Sequence, residues 1–306
     1  MGRTGADSAA ELLYPRLVTS MMERPTNTVT LSAGPVEYRL DQRGDAVVVV
    51  FHGGHMRAGL TLDERVYAEA DISVLAPSRP GYGRTPVTTG TTVPGFADVT
   101  AELCRHLGFE RVTAAVGISA GGPTAVAFAA RHPGLVERLV LQGAVGPLPY
   151  PDRRTRLLAG LMFAPRTEGV TWGGMRSLLR RTPDRGLRQL LAGLATLPAD
   201  QVLAGLTPAQ RTQLVWLFSR MRSGAGFRND LGPRGDLTAQ VTQPALVIAS
   251  RRDGAVPFAH AEALVAGIPR AELIESQADH HFYEFAADWP TISDTVRDFL
   301  TADPRS

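Results

Sequence analysis

The sequence has no lysine, and arginine supplies all 32 of its basic side chains. It has one cysteine, Cys104, which excludes an internal disulfide framework and a cysteine-built metal site. No apolar run approaches the roughly 18 residues that a membrane-spanning helix needs. Near the N-terminus, no continuous apolar stretch leads into the small-residue cleavage site of a secretory signal. These absences predict a cytoplasmic protein without a membrane span.

The charge of the chain is unevenly distributed. The 306 residues suffice for one large α/β domain with an insertion, or for two modest domains, and their formal net charge is +2. Residues 147–238 hold 14 arginines against 6 acidic residues, whereas the remainder of the chain carries a net −6. A basic segment within an acidic body suggests separate roles for the two. Because no basic run or nucleic-acid-binding motif is present, we expect no nucleic-acid partner.

Strand and helix patterns alternate along most of the chain. Residues 28–40 alternate in polarity around a Gly-Pro turn and predict a β-hairpin at a sheet edge. Helical spacing follows at 95–109, and a second helix after Gly121 is expected to stop at His132. Continuous apolar runs predict buried strands at 46–51, 71–77, 111–117 and 137–145. This alternation predicts an α/β fold with a mostly parallel central sheet flanked by helices.

The alternation stops between residues 147 and 238, where helical segments dominate, and resumes with strand patterns at 244–250 and 271–276. We therefore predict a helical lid, residues 147–238, inserted into an α/β core made of residues 28–146 and 239–306. Residues 1–27 are predicted to form an N-terminal helical segment.

One serine stands in a pattern typical of a catalytic nucleophile. Ser119 lies between Gly117 and Gly121, with a strand pattern directly before it and a helix pattern directly after it. A nucleophile on so tight a turn requires very small residues two positions away, because strand and helix would otherwise collide there. A plain turn serine in a glycine-rich chain is the alternative interpretation.

A serine hydroxyl needs a base and an orienting acid to become a nucleophile. Asp253 follows the strand at 244–250, where a carboxylate would stand at the carboxyl edge of the sheet, although Asp-Gly is also a common turn. His280 and His281 are the histidines that follow the last predicted strand, so either is a candidate base. We interpret His260 as solvated.

An oxyanion hole needs two N–H donors that converge on one point. We expect one from Ala120, the residue after the nucleophile, and the other from Gly54 or its neighbour His55 in the loop after the strand at 46–51. His52 and His55 form a His-x-x-His pair, which is weak evidence for a metal without clustered carboxylates. We therefore expect neither a metal nor a cofactor.

These motifs together resemble the α/β-hydrolase superfamily, specifically its lid-bearing group with an "HGG" oxyanion loop, over about residues 28–300. "HGG" at 52–54 resembles the oxyanion loop, "GISAGG" at 117–122 the nucleophile elbow and "RRDGAVP" at 251–257 the acid loop. "SRPGYGRT" at 78–85 resembles a loop that shapes the pocket floor. The resemblance departs at the histidine loop, which reads Asp279-His280-His281-Phe282 where the family usually has Gly-His. Alignment with Gly-His-Phe favours His281 as the base over His280.

The resemblance implies a serine hydrolase that acts on a small-molecule acyl substrate, with a carboxylic ester as the broadest expectation. The arginine-rich lid suggests an anionic alternative, a diketo acid cleaved at a C–C bond. Acyl transfer, or ligand binding without catalysis, is also compatible with the sequence. The apolar lid residues Phe163, Trp172, Trp216 and Phe218 are candidates for lining an acyl pocket, or for the core of the lid.

Overall fold

The computed structural model describes residues 23–151, 153–164 and 166–302. The helical segment predicted for residues 1–27 lies outside these ranges apart from its last residues. There Glu23 forms a β-bridge with Leu60, and Asn27 begins the first strand.

Eight strands form one sheet within the described residues. They are β1 (Asn27–Leu31), β2 (Gly34–Asp41), β3 (Val47–Phe51), β4 (Ser73–Pro77), β5 (Ala114–Ile118), β6 (Leu139–Gln142), β7 (Ala245–Ala249) and β8 (Ala271–Glu275). Their order across the sheet is β1-β2-β4-β3-β5-β6-β7-β8. β1 and β2 form an antiparallel hairpin, β2 is antiparallel to β4, and the other pairings are parallel. The predicted mostly parallel sheet is therefore confirmed.

Helices cover both faces of this sheet. In chain order the described helices are α1 (Arg65–Glu69), α2 (Val93–His106), α3 (Gly122–Arg131), α4 (Arg153–Met162), α5 (Glu168–Arg181), α6 (Pro183–Leu191), α7 (Ala199–Gly205), α8 (Pro208–Arg220), α9 (Gly226–Asp230), α10 (Ala259–Gly267) and α11 (Trp289–Thr301). α2, α3 and α10 contribute to the apolar core on one face, and α1 and α11 to the core on the other. The valine run of β3 is buried throughout because a central parallel strand is covered on both sides.

Helices α4 to α9 follow one another between β6 and β7, in the segment where the strand pattern is interrupted. Helices α5 to α8 form a third apolar cluster with Met56 from the loop after β3 and Phe282 from the loop after β8. The inserted helices are thereby placed above the carboxyl edge of the sheet, where those two loops emerge. Among the described helices, none combines the length and the apolar character needed to cross a bilayer.

Candidate active site

Ser119 occupies a strained turn between β5 and α3. Its φ angle is 52°, in the left-handed region that an L side chain rarely adopts. A Cβ atom on Gly117 would lie 2.7 Å from the Cβ of Ala125, and one on Gly121 would lie 2.1 Å from the Phe51 carbonyl oxygen. Both glycines are therefore required by the close approach of strand and helix.

A cavity of about 700 Å³ opens beside this turn. Ser119, His281, Gly54 and Ala120 all contribute to its wall. Three of the aromatic residues proposed for a pocket, Phe163, Trp172 and Phe218, also line it. Trp216 instead carries the Arg220 guanidinium 4.3 Å from its ring centroid. The cavity lies between the sheet edge and the inserted helices, and its surface is largely apolar.

Asp253 and His281 meet although 28 positions separate them in the chain. Nδ1 of His281 lies 2.6 Å from Oδ2 of Asp253. Oδ1 of the same carboxylate accepts hydrogen bonds from the backbone N–H groups of Ala255 and Val256, at 2.8 and 3.0 Å. The Tyr283 hydroxyl donates to Oδ2 at 2.8 Å. The buried carboxylate is thus fully supplied with donors, and the imidazole is held in one orientation.

The surroundings lower the pKa of the Asp253 carboxyl and raise the pKa of the His281 imidazole. Burial opposes the charged form of Asp253, but His281 and the donors from Val256 and Tyr283 outweigh it and lower the pKa of the carboxyl. Burial likewise opposes protonation of His281, but the adjacent Asp253 carboxylate outweighs it and raises the pKa of the imidazole. An imidazole in this setting can accept a proton and be stabilised as an imidazolium.

His280 turns away from this pair. Its Nδ1 accepts a hydrogen bond from the Phe282 N–H at 3.1 Å, and its ring lies near Phe282 and Phe285. Burial and the neighbouring His281 lower the pKa of His280 to about 4. The structure therefore brings His281, and not His280, into contact with Asp253.

The loop after β3 faces the Ser119 turn. A Cβ atom built on Gly54 would lie 3.9 Å from the Ala120 side chain, so the two residues are in direct proximity. The N–H of Gly122 is bonded to the Ser119 carbonyl, so the helical turn begins at Ser119. Ala120 lies in this first turn, where backbone N–H groups have no acceptor within the helix. The His55 backbone interacts with the Tyr82 hydroxyl. This contact favours Gly54 over His55 as the second donor toward the cavity.

Residues 46–287 match the family model described as "alpha/beta hydrolase fold". The chain belongs to the α/β-hydrolase family. It is 31% identical over 245 residues to "Uncharacterized hydrolase YcgS" of Bacillus subtilis. The aligned region covers 78% of this chain and 86% of that protein. It is 30% identical over 251 residues to a "2-hydroxy-6-oxononadienedioate/2-hydroxy-6-oxononatrienedioate hydrolase" of Paraburkholderia phymatum, covering 78% and 81% of the two chains. The solved "Alpha/beta hydrolase fold protein from Nakamurella multipartita" superposes with a TM-score of 0.74 and 25% identity, covering 90% of this chain and 99% of that one.

In this α/β hydrolase the loop after β3 is anchored by a buried polar network. Nε2 of His52 accepts from the Arg79 N–H at 3.1 Å, and Arg79 donates through Nε to the His52 carbonyl at 2.8 Å. The Arg79 guanidinium also forms a two-pronged ion pair with Asp230 of α9, which accepts a further hydrogen bond from Tyr82 at 2.6 Å. The sequence shows Arg79 and Tyr82 within a loop motif, but it gives no sign of their partner, since Asp230 lies about 150 residues later.

The segment between α6 and α7 of the hydrolase also contacts the loops that carry Asp253 and His281. The Leu194 carbonyl accepts backbone hydrogen bonds from Gly254 at 3.2 Å and from His281 at 2.9 Å. Ala195 forms a β-bridge with Asp253 itself. A Cβ atom on Gly254 would lie 2.5 Å from the Ala195 backbone, so the glycine after the acid is required by this approach as well as by the turn.

Two of the described arginines reach the cavity, and they differ in their surroundings. Arg79 is neutralised by Asp230. Arg234 donates to the backbone carbonyls of Asp230 and Tyr150, at 3.0 and 2.8 Å, and forms no ion pair with a described acidic side chain. Among the described arginines that line the cavity, Arg234 is therefore the one without an ion pair.

The interpretation of His260 as solvated is wrong. Its side chain is buried, and its Nδ1 accepts a hydrogen bond from the Gly146 N–H at 3.0 Å. The start of α10 packs against the chain just after β6, and a Cβ on Gly146 would lie 2.7 Å from the His260 carbonyl. Spacing within one helix does not reveal such a contact with a distant loop.

His52 and His55 are both engaged by other groups. The Nδ1 of His55 lies 2.8 Å from the Ser223 hydroxyl, and its ring stacks on Phe227 with a centroid separation of 4.2 Å. Burial and Arg79 lower the pKa of His55 to about 3. Across the part of the chain that the structure describes, no group of three or more His, Cys, Asp or Glu side chains is arranged to hold a metal ion.

Proposed function

We propose that this α/β hydrolase is a serine hydrolase of carboxylic esters of small molecules. The observation that carries the proposal is the pairing of His281 with the buried Asp253 at 2.6 Å, on the wall of a cavity that also contains Ser119. A histidine oriented by a carboxylate is the base that a serine hydroxyl requires. The left-handed conformation of Ser119 lifts its hydroxyl above the sheet edge, as a nucleophile elbow demands.

In the proposed reaction the Ser119 Oγ attacks the ester carbonyl carbon while Nε2 of His281 takes its proton. The tetrahedral oxyanion accepts hydrogen bonds from the Gly54 and Ala120 N–H groups. When the C–O bond to the alcohol breaks, the departing oxygen receives the proton from His281 and an acyl-enzyme remains. Water then attacks the acyl carbon, His281 takes the proton of that water, and collapse returns the proton to Ser119 and releases the acid. Asp253 stays ionised and stabilises the imidazolium at both stages.

Hydrolysis of a C–C bond next to a carbonyl is the second candidate. The relative from Paraburkholderia phymatum is named for a dienedioate substrate, a molecule with carboxylate groups. Arg234 supplies this cavity with a guanidinium that forms no ion pair with an acidic side chain among the described residues. In that reaction the departing carbon, instead of an oxygen, would receive the electron pair and a proton. We treat the inserted helices, residues 147–238, as the proposed lid over either substrate.

A fluorophosphonate probe tests the proposal, because its phosphorus is attacked only by an activated serine, with loss of fluoride. We expect a phosphonyl adduct on the peptide that contains Ser119. The adduct should be absent from Ser119→Ala, strongly slowed in His281→Ala and retained in His280→Ala. Ester turnover by Ser119→Ala should fall by roughly 10⁴- to 10⁶-fold in kcat. Labelling that persists in Ser119→Ala would refute the assignment, and folded protein that neither labels nor turns over esters would favour a binding protein.

A further inference from the structure

Glu284 is a cavity residue for which the proposed reaction has no use. It lies three positions after His281 in the short 3₁₀ turn Tyr283–Phe285. Its Oε1 accepts a hydrogen bond from Nε2 of Gln142 at 2.7 Å. Its Oε2 is shielded from solvent and accepts no hydrogen bond from any described group. Because buried polar atoms are satisfied in the great majority of cases, an orphaned carboxyl oxygen requires an explanation.

No described arginine forms an ion pair with this carboxyl. Arg39, in the wall of the cavity of about 40 Å³ that Glu284 also lines, is occupied by Asp41 and Glu64. The charged groups that act on Glu284 are Asp63, which repels a second negative charge, and His281. Burial and this repulsion raise the pKa of Glu284 to about 7, against the opposing effects of its own backbone N–H, of Gln142 and of His281. Near neutral pH the group is therefore present both as a carboxylic acid and as a carboxylate.

The position of Glu284 relates it to the nucleophile. Gln142 ends β6 and is paired in register with Ile118, the residue directly before Ser119. Glu284 and Gln142 both line the main cavity. They also line a smaller cavity of about 40 Å³, whose wall includes Gly53 and Ile118. Glu284 and Ser119 therefore line one and the same cavity.

We propose that Glu284, held by Gln142, forms a subsite that accepts a hydrogen bond from a hydroxyl or ammonium group of the substrate. The inference rests on the proposed function, since it assigns a specificity to the same cavity. A bound donor would satisfy the orphaned oxygen, whereas a substrate carboxylate at this position would meet an unpaired acid. The subsite is separate from Arg234, whose guanidinium donates to the Asp230 and Tyr150 carbonyls.

A matched ligand series tests this subsite by binding. We would titrate carboxamides, identical except for a terminal methyl, hydroxyl, ammonium or carboxylate group on a chain of graded length, into the wild-type protein by calorimetry. We expect the hydroxyl and ammonium compounds to bind roughly 10-fold more tightly than the methyl compound at the matching length, and the carboxylate compound more weakly. In Glu284→Leu this ranking should collapse. In Glu284→Gln the hydroxyl preference should remain and the ammonium preference should be lost, because Gln keeps an acceptor without the charge.

Glu262→Gln provides the control, since it makes the same chemical change at an exposed position on α10. Circular dichroism and melting temperatures would establish that each variant is folded. An unchanged ranking in folded Glu284→Leu overturns the subsite, and so does an equal loss for all four ligands, which would make Glu284 a partner of His281. Failure of the proposed function has a different signature, namely no serine labelling and no ester turnover while the binding ranking persists.

Discussion

The Tyr283 hydroxyl donates a hydrogen bond to the same Asp253 oxygen that faces His281, at 2.8 Å. The Ser250 N–H in turn donates to that hydroxyl at 3.2 Å. Tyr283, two positions after His281, therefore positions the Asp253 carboxylate that in turn contacts His281. Tyr283 belongs to no motif that the sequence displays.

Tyr283→Phe removes one donor from a buried carboxylate. We expect the free energy of unfolding to fall by about 1–3 kcal/mol, because a hydrogen bond to a charged group is lost without replacement. We also expect the pKa of Asp253 to rise and kcat/KM for an ester to fall more than KM changes. Chemical denaturation and steady-state kinetics measure both effects. Tyr38→Phe, on strand β2, is the matched control and should leave both quantities nearly unchanged.

The pH dependence of turnover should report His281. The imidazole must be unprotonated to act as base, and its pKa is raised above 6.5. We therefore expect kcat/KM to rise with pH through a midpoint above that value. In Asp253→Asn the midpoint should move down, because burial remains while the attracting carboxylate is gone. If wild type and Asp253→Asn have the same midpoint, the rise of kcat/KM with pH belongs to another titrating group, and Glu284 is the first candidate.

The same pKa shifts predict opposite pH trends in stability. The raised pKa of His281 stabilises the fold fully below its unfolded-state pKa, and this contribution is lost as pH rises through the folded-state value. The lowered pKa of Asp253 stabilises the fold above its unfolded-state value, and this contribution is lost as pH falls through the folded-state value. Urea denaturation of wild type and His281→Ala between pH 5 and 9, a range of about four units around the usual His pKa, should isolate the first trend.

Gly121→Ala should destabilise the protein severely. The added methyl group would lie 2.1 Å from the Phe51 carbonyl oxygen, which is fixed in the central strand β3. Overpacking of this kind typically costs about 1–3 kcal/mol, and a clash with backbone lies at the upper end or beyond. Gly134→Ala is the control, because no atom lies within 4 Å of its added Cβ. Equal melting temperatures for the two variants would contradict the packing described at the elbow.

Arg234→Gln should discriminate between substrate charges. We expect KM for a carboxylate-bearing substrate to rise by roughly 10-fold, corresponding to the loss of one charge-assisted hydrogen bond. KM for a neutral ester of the same size should change little. Arg228→Gln, an exposed position on α9, controls for the general loss of positive charge. If both substrates respond equally to Arg234→Gln, the guanidinium acts on the fold of the cavity and not on the ligand.

The sequence predicts those parts of the molecule that depend on local pattern. Buried apolar runs predict the parallel strands, and the glycines around Ser119 predict the elbow, because steric demands at a tight turn leave a signature in neighbouring residues. The order of Asp253 and the histidine pair along the chain narrows the base to two candidates. Choosing between His280 and His281 requires the direction of each side chain, which consecutive residues in an irregular loop do not reveal.

The features that the sequence does not predict are contacts between distant segments. The Leu194 carbonyl is a backbone acceptor, so its bonds to the two loops leave no mark on residue identity. Asp230 and Glu284 are ordinary acidic residues until their neighbours are known. One is fully paired with Arg79 and Tyr82, and the other has an orphaned oxygen. The burial of His260 is likewise not predicted, because it depends on a contact with Gly146 in a distant part of the chain.

The Leu194 carbonyl joins the segment between α6 and α7 to two loops at once, because it accepts hydrogen bonds from both Gly254 and His281. If residues 147–238 were replaced by the corresponding segment of a relative, the new segment would have to place a backbone carbonyl oxygen where that of Leu194 lies. The position would have to agree within a few tenths of an ångström for the hydrogen bonds to both loops to form.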